Sequence, residues 1–182
     1  MSEALNRAEP VTHEAFVRDG VTISLAPPMA RYSLRARDPG ALEVLLGLKL
    51  PKKIGTTEGG AACLGPDEWL LRLPFGASIA MGESLPLAIT EVSERAVCLI
   101  AEGPRAAEVL MAGCPLDLDR FAVGRATRTI FETVEIILIR SSEHRFEVEV
   151  WRSFAPWLQL ALTTAAAELT GISWNNPKTR LP

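Results

Sequence analysis

GPRAAEVLMAGCPLDLDRFAVG, residues 103–124, predicts a short helix between two sharp turns. Gly103-Pro104 favours a helix start, because proline lacks only an N–H that the first turn leaves unpaired. Gly113 is typical of a helix end. Residues at helical spacing form the inward face of this helix, namely Ala107, Leu110 and Met111. The loop that follows carries a carboxylate, Asp117, between two leucines.

Strand patterns surround this helix in the C-terminal half of the chain. A wholly apolar strand precedes it, and three strands with short turns follow it; we predict them at 96–101, 126–131, 134–140 and 145–151. In the last strand Phe146, Val148 and Val150 share one face. Ser153 is predicted to cap a final helix that runs to about Thr170. Its apolar set comprises Phe154, Trp157, Leu158, Ala161, Leu162, Ala165 and Leu169.

The N-terminal half repeats the same order of elements. Residues 21–25 and 31–37 alternate as strands do, and Asp38-Pro39 then starts a helix that ends near Gly47. Residues 61–64 and 69–73 flank a polar turn and predict a hairpin. We predict a short helix at 77–83. Trp69, Trp151 and Trp157 are interpreted as core residues.

Two halves with the same order of elements predict an α+β fold, in which each half contributes an antiparallel sheet and helices to one shared core. The predicted boundaries are an arm at 1–19, an N-terminal half at 20–91, a C-terminal half at 92–171 and a tail at 172–182. A chain of 182 residues buries enough surface to fold without a metal ion or disulfide bonds.

Composition excludes several classes of partner. The net charge is −3 with no long basic run, which disfavours nucleic acid. No stretch approaches the roughly 20 apolar residues that span a bilayer, and the N-terminus has no signal-peptide core, so we expect a cytoplasmic protein. The three cysteines have no metal-binding spacing, and we expect buried free thiols and no metal.

The sequence provides no convincing catalytic set. His13 and His144 fall in the predicted arm and in a hairpin turn, where we expect exposed side chains. The Gly-x-Ser-x-Gly motif, the phosphate-binding loop and the dinucleotide fingerprint are all absent. We therefore predict no catalytic residue in this chain.

Asp117 has two interpretations. As an inward carboxylate it must find donors, and the simpler source is the backbone N–H groups of the following turn, which Asp readily caps. The alternative is a carboxylate that faces a ligand pocket between the halves.

Two further residues are candidates for partner contacts. Arg152 ends the last strand. It is either a solvated charge at the sheet edge or forms an ion pair with a carboxylate of a partner. Trp174 lies beyond the last predicted helix, in a tail with two prolines, and we expect it to anchor on another surface, in cis or in trans.

The order and spacing of several motifs resemble the gamma subunit of heterotetrameric sarcosine oxidase. The resemblance covers roughly residues 30–170 and rests on 64–71, 113–118, Phe121, Gly124, Arg128-Thr129, 146–150 and 152–155. That family in turn resembles the folate-binding domain of the glycine-cleavage T-protein, an aminomethyltransferase. The T-protein has an Asn-Asp pair after the corresponding helix, and Leu116-Asp117 occupies that place. The resemblance thus implies a T-protein-like fold and makes Asp117 the candidate folate-binding residue.

The resemblance also implies a function. Such a complex demethylates sarcosine oxidatively to glycine, peroxide and a one-carbon unit on folate. Flavins, NAD and tetrahydrofolate would belong to larger flavoprotein subunits, and this chain would be a non-catalytic gamma subunit that acts in assembly and stability. Two alternatives stay open: a stand-alone folate-binding protein that uses Asp117, and a homodimeric adaptor.

Overall fold

The computed structural model describes residues 9–79 and 87–171, with side chains described as far as Leu169. The elements in chain order are β1 (Phe16–Arg18), β2 (Val21–Leu25), β3 (Met29–Ala36), α1 (Pro39–Leu46), β4 (Thr57–Glu58), β5 (Ala61–Gly65), β6 (Glu68–Pro74), β7 (Leu87–Glu91), β8 (Ala96–Glu102), α2 (Ala106–Met111), β9 (Ala126–Phe131), β10 (Val134–Ser142), β11 (Arg145–Trp151), a 3-10 turn (Arg152–Phe154) and α3 (Ala155–Gly171). Two antiparallel sheets and three helices confirm the predicted α+β class.

The strands form one sheet of six and one of five. The six-stranded sheet has the order β1-β2-β8-β11-β10-β9, and the five-stranded sheet has the order β4-β5-β6-β3-β7. β1 and β2 thus leave the N-terminal half and pair with the C-terminal sheet, where Ile23 lies opposite Ala101. The prediction of an arm is wrong for Phe16–Arg18. These residues form a strand that pairs with Val21–Ile23, and the resulting hairpin extends this sheet.

Local capping explains α1. The backbone N–H of Gly40 donates to Oδ1 of Asp38 at 2.9 Å, and Pro39 occupies the first turn. Gly47 ends the helix in the left-handed region, at φ 63°. These contacts confirm the start and end that the sequence predicted.

The other two helices differ from their predicted starts. α2 begins at Ala106, because Gly103 adopts φ 123° and takes part in a turn instead of the helix. Its inward residues include Ala106 and Val109, whereas Met111 is exposed, contrary to the prediction. Ser153 lies inside the 3-10 turn that precedes α3, so it does not occupy the capping position that we predicted.

Each sheet has its own apolar core, which corrects the prediction of one shared core. The six-stranded sheet packs Leu99, Leu138, Phe146 and Val148 against α2 and α3. The five-stranded sheet packs a second cluster against α1, formed by Tyr32, Leu34, Leu42, Trp69 and Leu71 among others. Two further clusters are small, one formed by Ala26, Cys98 and Ile100 and one by Ala62, Ala126 and Ile139. The second lies between the sheets, together with ion pairs. The molecule therefore has four layers: α1, the five-stranded sheet, the six-stranded sheet, and a layer formed by α2 and α3.

The remaining predictions concern the short helix at 77–83, the tryptophans and the membrane. The short helix predicted at 77–83 falls largely outside the described residues, and the structure adds a strand, β7, that the sequence did not predict. Trp69 is buried as predicted, but Trp151 and Trp157 are 45% and 38% exposed, so their assignment to the core was wrong. Across 9–79 and 87–171, no helix combines the length and the apolarity that crossing a membrane requires.

Candidate functional site

The outer face of α3 is unusual for the surface of a helix, because it carries almost no charge. Only Glu168 is charged among the 17 residues of this helix. One stripe, at helical spacing, is fully buried against the six-stranded sheet: Ala155, Leu158, Leu162 and Ala166. The opposite stripe is exposed and consists of Trp157, Leu160, Thr164 and Glu168, which we call the α3 face. A helix that faces water normally carries charge on its outer side, so this face has the character of an interface.

Two grooves flank the α3 face. One has a volume of about 330 Å³ and lies toward α2 and the turn between β9 and β10. The other, of about 400 Å³, lies toward residues 12–17, and Leu160 lines both grooves. The charged residues that line them are Glu14, Glu132 and Glu168, and within the described parts of the chain no lysine or arginine does so. The α3 face is thus an apolar ridge between acidic grooves.

Glu132 lies on the rim of the first groove in a strained conformation. It is the first residue of a two-residue turn, since Phe131 and Val134 pair directly across the hairpin. Its φ is 50°, in a region that glycine normally occupies at this turn position. The Glu132 N–H donates to the carbonyl of Gly113 at 2.7 Å, which ties the turn to the end of α2. The fold therefore holds a carboxylate at this rim despite the backbone cost.

A buried ion cluster joins the two sheets. Arg31 of β3 donates from Nε to Oε2 of Glu149 at 2.7 Å, and both side chains are 2% exposed. Arg72 of β6 pairs with Glu147 and lies 3.5 Å from Oε1 of Glu149. Burial alone would raise the pKa of Glu147, but the charge and hydrogen bond of Arg72 outweigh it and hold that pKa below its ordinary value. The cluster fixes how one sheet sits on the other.

The cavity beside this cluster is small. It has a volume of about 90 Å³ and is lined by Arg31, Leu70, Ile137, Glu149 and Trp151, among others. Pockets for cofactor-sized ligands are typically about 300–1,000 Å³. At its rim the guanidinium of Arg95 stacks on Trp151, 4.3 Å from the ring centre. The space between the sheets therefore suits a few small molecules of solvent rather than an extended cofactor.

The loop with Asp117 points its carboxylate to the surface. Asp117 is exposed, and the Arg120 N–H lies 3.4 Å from its Oδ1, which corresponds to the capping interpretation. Leu118 and Phe121 are buried beneath the loop, and Arg140 donates to both of their carbonyls, at 3.1 and 2.7 Å. The sequence did not indicate this role for Arg140. The proposed contact of Asp117 with folate stays a prediction.

Of the two residues predicted to contact a partner, Arg152 and Trp174, only Arg152 lies within the described part of the chain. Nη1 of Arg152 is 3.6 Å from Glu94 and 3.9 Å from Glu9, so this arginine lies among carboxylates of its own chain. Trp174 lies outside the described residues. The contact of either residue with a partner stays a prediction. The sequence analysis did not identify Leu160 as a candidate contact residue. The signal was present, because a long helix with a single charge and leucines on both sides indicates a second apolar face.

The groups that could do acid–base or nucleophilic chemistry are dispersed. His13 and His144 are exposed, as predicted. The three thiols are buried; Cys63 and Cys98 contact the carbonyls of Gly65 and Leu99, and Cys114 lies near Thr129. In the described segments no group of three His, Cys, Asp or Glu side chains is arranged to hold a metal ion.

We expect the native protein to resist thiol reagents. Burial raises the pKa of Cys98 well above its ordinary value, with a further contribution from Glu149, and burial also raises the pKa of Cys63. Thiolate is the reactive form, so an Ellman titration of the native chain should detect far less than one equivalent. The same titration in guanidinium chloride should detect all three thiols. Rapid labelling of the native chain would contradict the burial of these residues.

Comparisons with known proteins identify the family. Residues 36–168 match the model of the sarcosine oxidase, gamma subunit family. The sarcosine oxidase subunit gamma of Arthrobacter sp. is 34% identical over 121 residues, which are 59% of this chain and 59% of that protein. The subunit of the same name from Corynebacterium sp. (strain P-1) is 32% identical over 145 residues, which are 70% of this chain and 71% of the relative.

Solved structures agree with this match. A chain of the heterotetrameric sarcosine oxidase from Corynebacterium sp. U-96, in complex with pyrrole 2-carboxylate, superposes with a TM-score of 0.82 and 27% identity, over 92% of this chain and 98% of that one. Aminomethyltransferase T of the glycine cleavage system from Bartonella henselae superposes with a TM-score of 0.53 and 16% identity, over 80% and 46%. The second match shows the fold alone and confirms the predicted T-protein-like architecture. The chain belongs to the sarcosine oxidase gamma subunit family.

Proposed function

We propose that this protein is the small, non-catalytic subunit of a heterotetrameric sarcosine-oxidase-type complex. The observation that carries the proposal is the superposition on a chain of a heterotetrameric sarcosine oxidase, which covers 98% of that chain. Nearly the whole backbone of that chain has a counterpart here, which supports a place for this protein in an assembly of the same kind.

Its role is to assemble and stabilise larger flavoprotein subunits. The dispersal of the histidines and thiols supports this role, since nucleophilic catalysis needs a base within hydrogen-bond reach of a nucleophile. Flavins, NAD and tetrahydrofolate bind the larger subunits in this proposal. Those subunits oxidise sarcosine with dioxygen, which accepts the two electrons and becomes hydrogen peroxide, and they transfer the methyl carbon to folate, leaving glycine. The complex acts in the cytoplasm in this proposal.

Co-expression of the tagged full chain with the flavoprotein subunits tests the proposal. We expect a yellow complex to be retained on the tag, and we expect the larger subunits to unfold at a lower temperature when this chain is omitted. The isolated chain, given sarcosine and tetrahydrofolate, should form neither peroxide nor glycine. Failure to retain any flavoprotein, or turnover by the isolated chain, would show the proposal to be wrong.

A further inference from the structure

We infer that the α3 face is the surface that binds a larger subunit, and that the partner's surface there is apolar and edged with lysine or arginine. This inference rests on the proposed function and names the contact through which it would act. The layer between the sheets is a weaker alternative, because ion pairs of this chain occupy most of it and leave a cavity of only about 90 Å³.

The apolar character of the α3 face supplies the first argument. Leu160 is 66% exposed and Trp157 is 38% exposed, on a helix about 25 Å long. The centres of protein interfaces are depleted of charge and enriched in aromatic residues. With Glu168 at one end and uncharged residues along the rest, this face meets both criteria.

The charges around the face define the partner. The chain has 19 basic and 22 acidic residues, so a shortage of basic residues does not explain why every charged residue lining these two grooves is a glutamate. Glu14 lines the groove on one side of the ridge, and Glu132 lines the groove on the other side together with Glu168, which lies at the end of the ridge itself. A basic rim on the partner would complement these carboxylates and speed association.

The same charges disfavour a second copy of this chain as the occupant. In a two-fold interface the same patch lies on both sides, so both sides would carry the groove glutamates and no lysine or arginine of the described groove linings would face them. Like charges across an interface oppose association. A hydrophobic ridge with an acidic border therefore fits a different, basic partner.

The conformation of Glu132 gives an independent observation. A non-glycine residue at φ 50° is strained and persists only where the surroundings enforce that conformation. Such strain is concentrated at functional sites. Here it keeps a carboxylate on the groove rim, at the position where glycine would suit the turn better.

The test uses the full chain co-expressed with the flavoprotein subunits. Leu160→Glu should lower the affinity for the larger subunits at least about tenfold, because it places a charge in the centre of the interface. Val44→Glu is the matched control, since Val44 is 86% exposed on α1, at the opposite side of the layered structure, and should bind like the wild type. Circular dichroism and melting temperature confirm that both variants fold.

Charge reversal provides a second, less disruptive variant. Glu132→Lys with Glu168→Lys should slow association, and the difference from the wild type should shrink as salt is raised. If the wild type binds no flavoprotein, the proposed function fails. If the wild type binds and Leu160→Glu binds equally well, the function stands and the α3 face is the wrong surface. If light scattering finds a homodimer that Leu160→Glu dissociates, the occupant is a second copy and the inference is overturned.

Discussion

Glu149→Ala is expected to lower the free energy of unfolding by about 3–5 kcal/mol. The substitution leaves the guanidinium of Arg31 buried at 2% exposure without its closest carboxylate. Arg31 would retain its hydrogen bond to the carbonyl of Met29, at 3.2 Å, which does not neutralise its charge. The loss is measured as the shift in the midpoint of urea unfolding at pH 7, followed by tryptophan fluorescence and by circular dichroism.

Glu102→Ala is the matched control for this prediction. Glu102 also lies in the six-stranded sheet and pairs with an arginine, Arg145, at 2.6 Å, but its side chain is 52% exposed. Ion pairs in contact with water contribute about 0–1 kcal/mol. Equal losses for Glu149→Ala and Glu102→Ala would mean that the Arg31–Glu149 pair is hydrated rather than buried between the sheets.

A double variant separates the charge effect from packing. Replacing Arg31 and Glu149 together by leucine removes both charges, and such replacements of buried pairs are often neutral or stabilising. We expect the double variant to be more stable than Glu149→Ala alone. A double variant less stable than Glu149→Ala would show that the pair is worth more than the desolvation of its members.

The β-strands were predictable because their signals are local. In β11 the alternation of Phe146, Val148 and Val150 with polar residues identified the strand and its core face. The same alternation could not identify what covers the other face. Glu147 and Glu149 on a strand usually face water. Here arginines from the second sheet pair with them, and that pairing depends on residues more than 70 positions away.

The position of β1 and β2 in the C-terminal sheet was not predictable for a related reason. The sequence of β2 indicates a strand, but a strand pattern does not specify a partner when the connection is long. Val21–Leu25 joins β8 across some 75 residues of chain, and this contact moves the start of the protein into the C-terminal sheet. The boundary between the two predicted halves therefore does not describe the membership of the sheets.

The α3 face shows how an amphipathic pattern can mislead. Trp157 and Leu158 are adjacent, and both were assigned to the core, although adjacent helical residues point about 100° apart. Leu158 is fully buried, whereas Trp157 lies in the exposed stripe. A helix that is apolar on nearly all sides indicates burial, and burial against a partner produces the same sequence as burial in the core. The candidate site was therefore present in the sequence as an excess of apolar residues.

Gly103→Ala is expected to lower the free energy of unfolding by about 3 kcal/mol or more, because steric overlap adds to backbone strain. Gly103 has φ 123°, and a Cβ at this position would overlap the carbonyl oxygen of Gly20 and lie 3.0 Å from its carbonyl carbon. Both of those atoms belong to backbone and cannot rotate away. The turn between β1 and β2 would have to move, together with the N–H of Arg105, which donates to the same oxygen at 3.0 Å.

Gly47→Ala isolates the contribution of the backbone conformation. Gly47 also has a positive φ, 63°, but a Cβ there meets nothing within 4 Å. Left-handed strain alone costs about 1–2 kcal/mol, so Gly47→Ala should lose less stability than Gly103→Ala by at least about 1 kcal/mol. Urea midpoints of the two variants provide the comparison. Equal losses would mean that the turn at Gly20 yields without cost, and the close approach of the first hairpin to the start of α2 would then not contribute to the stability of the fold.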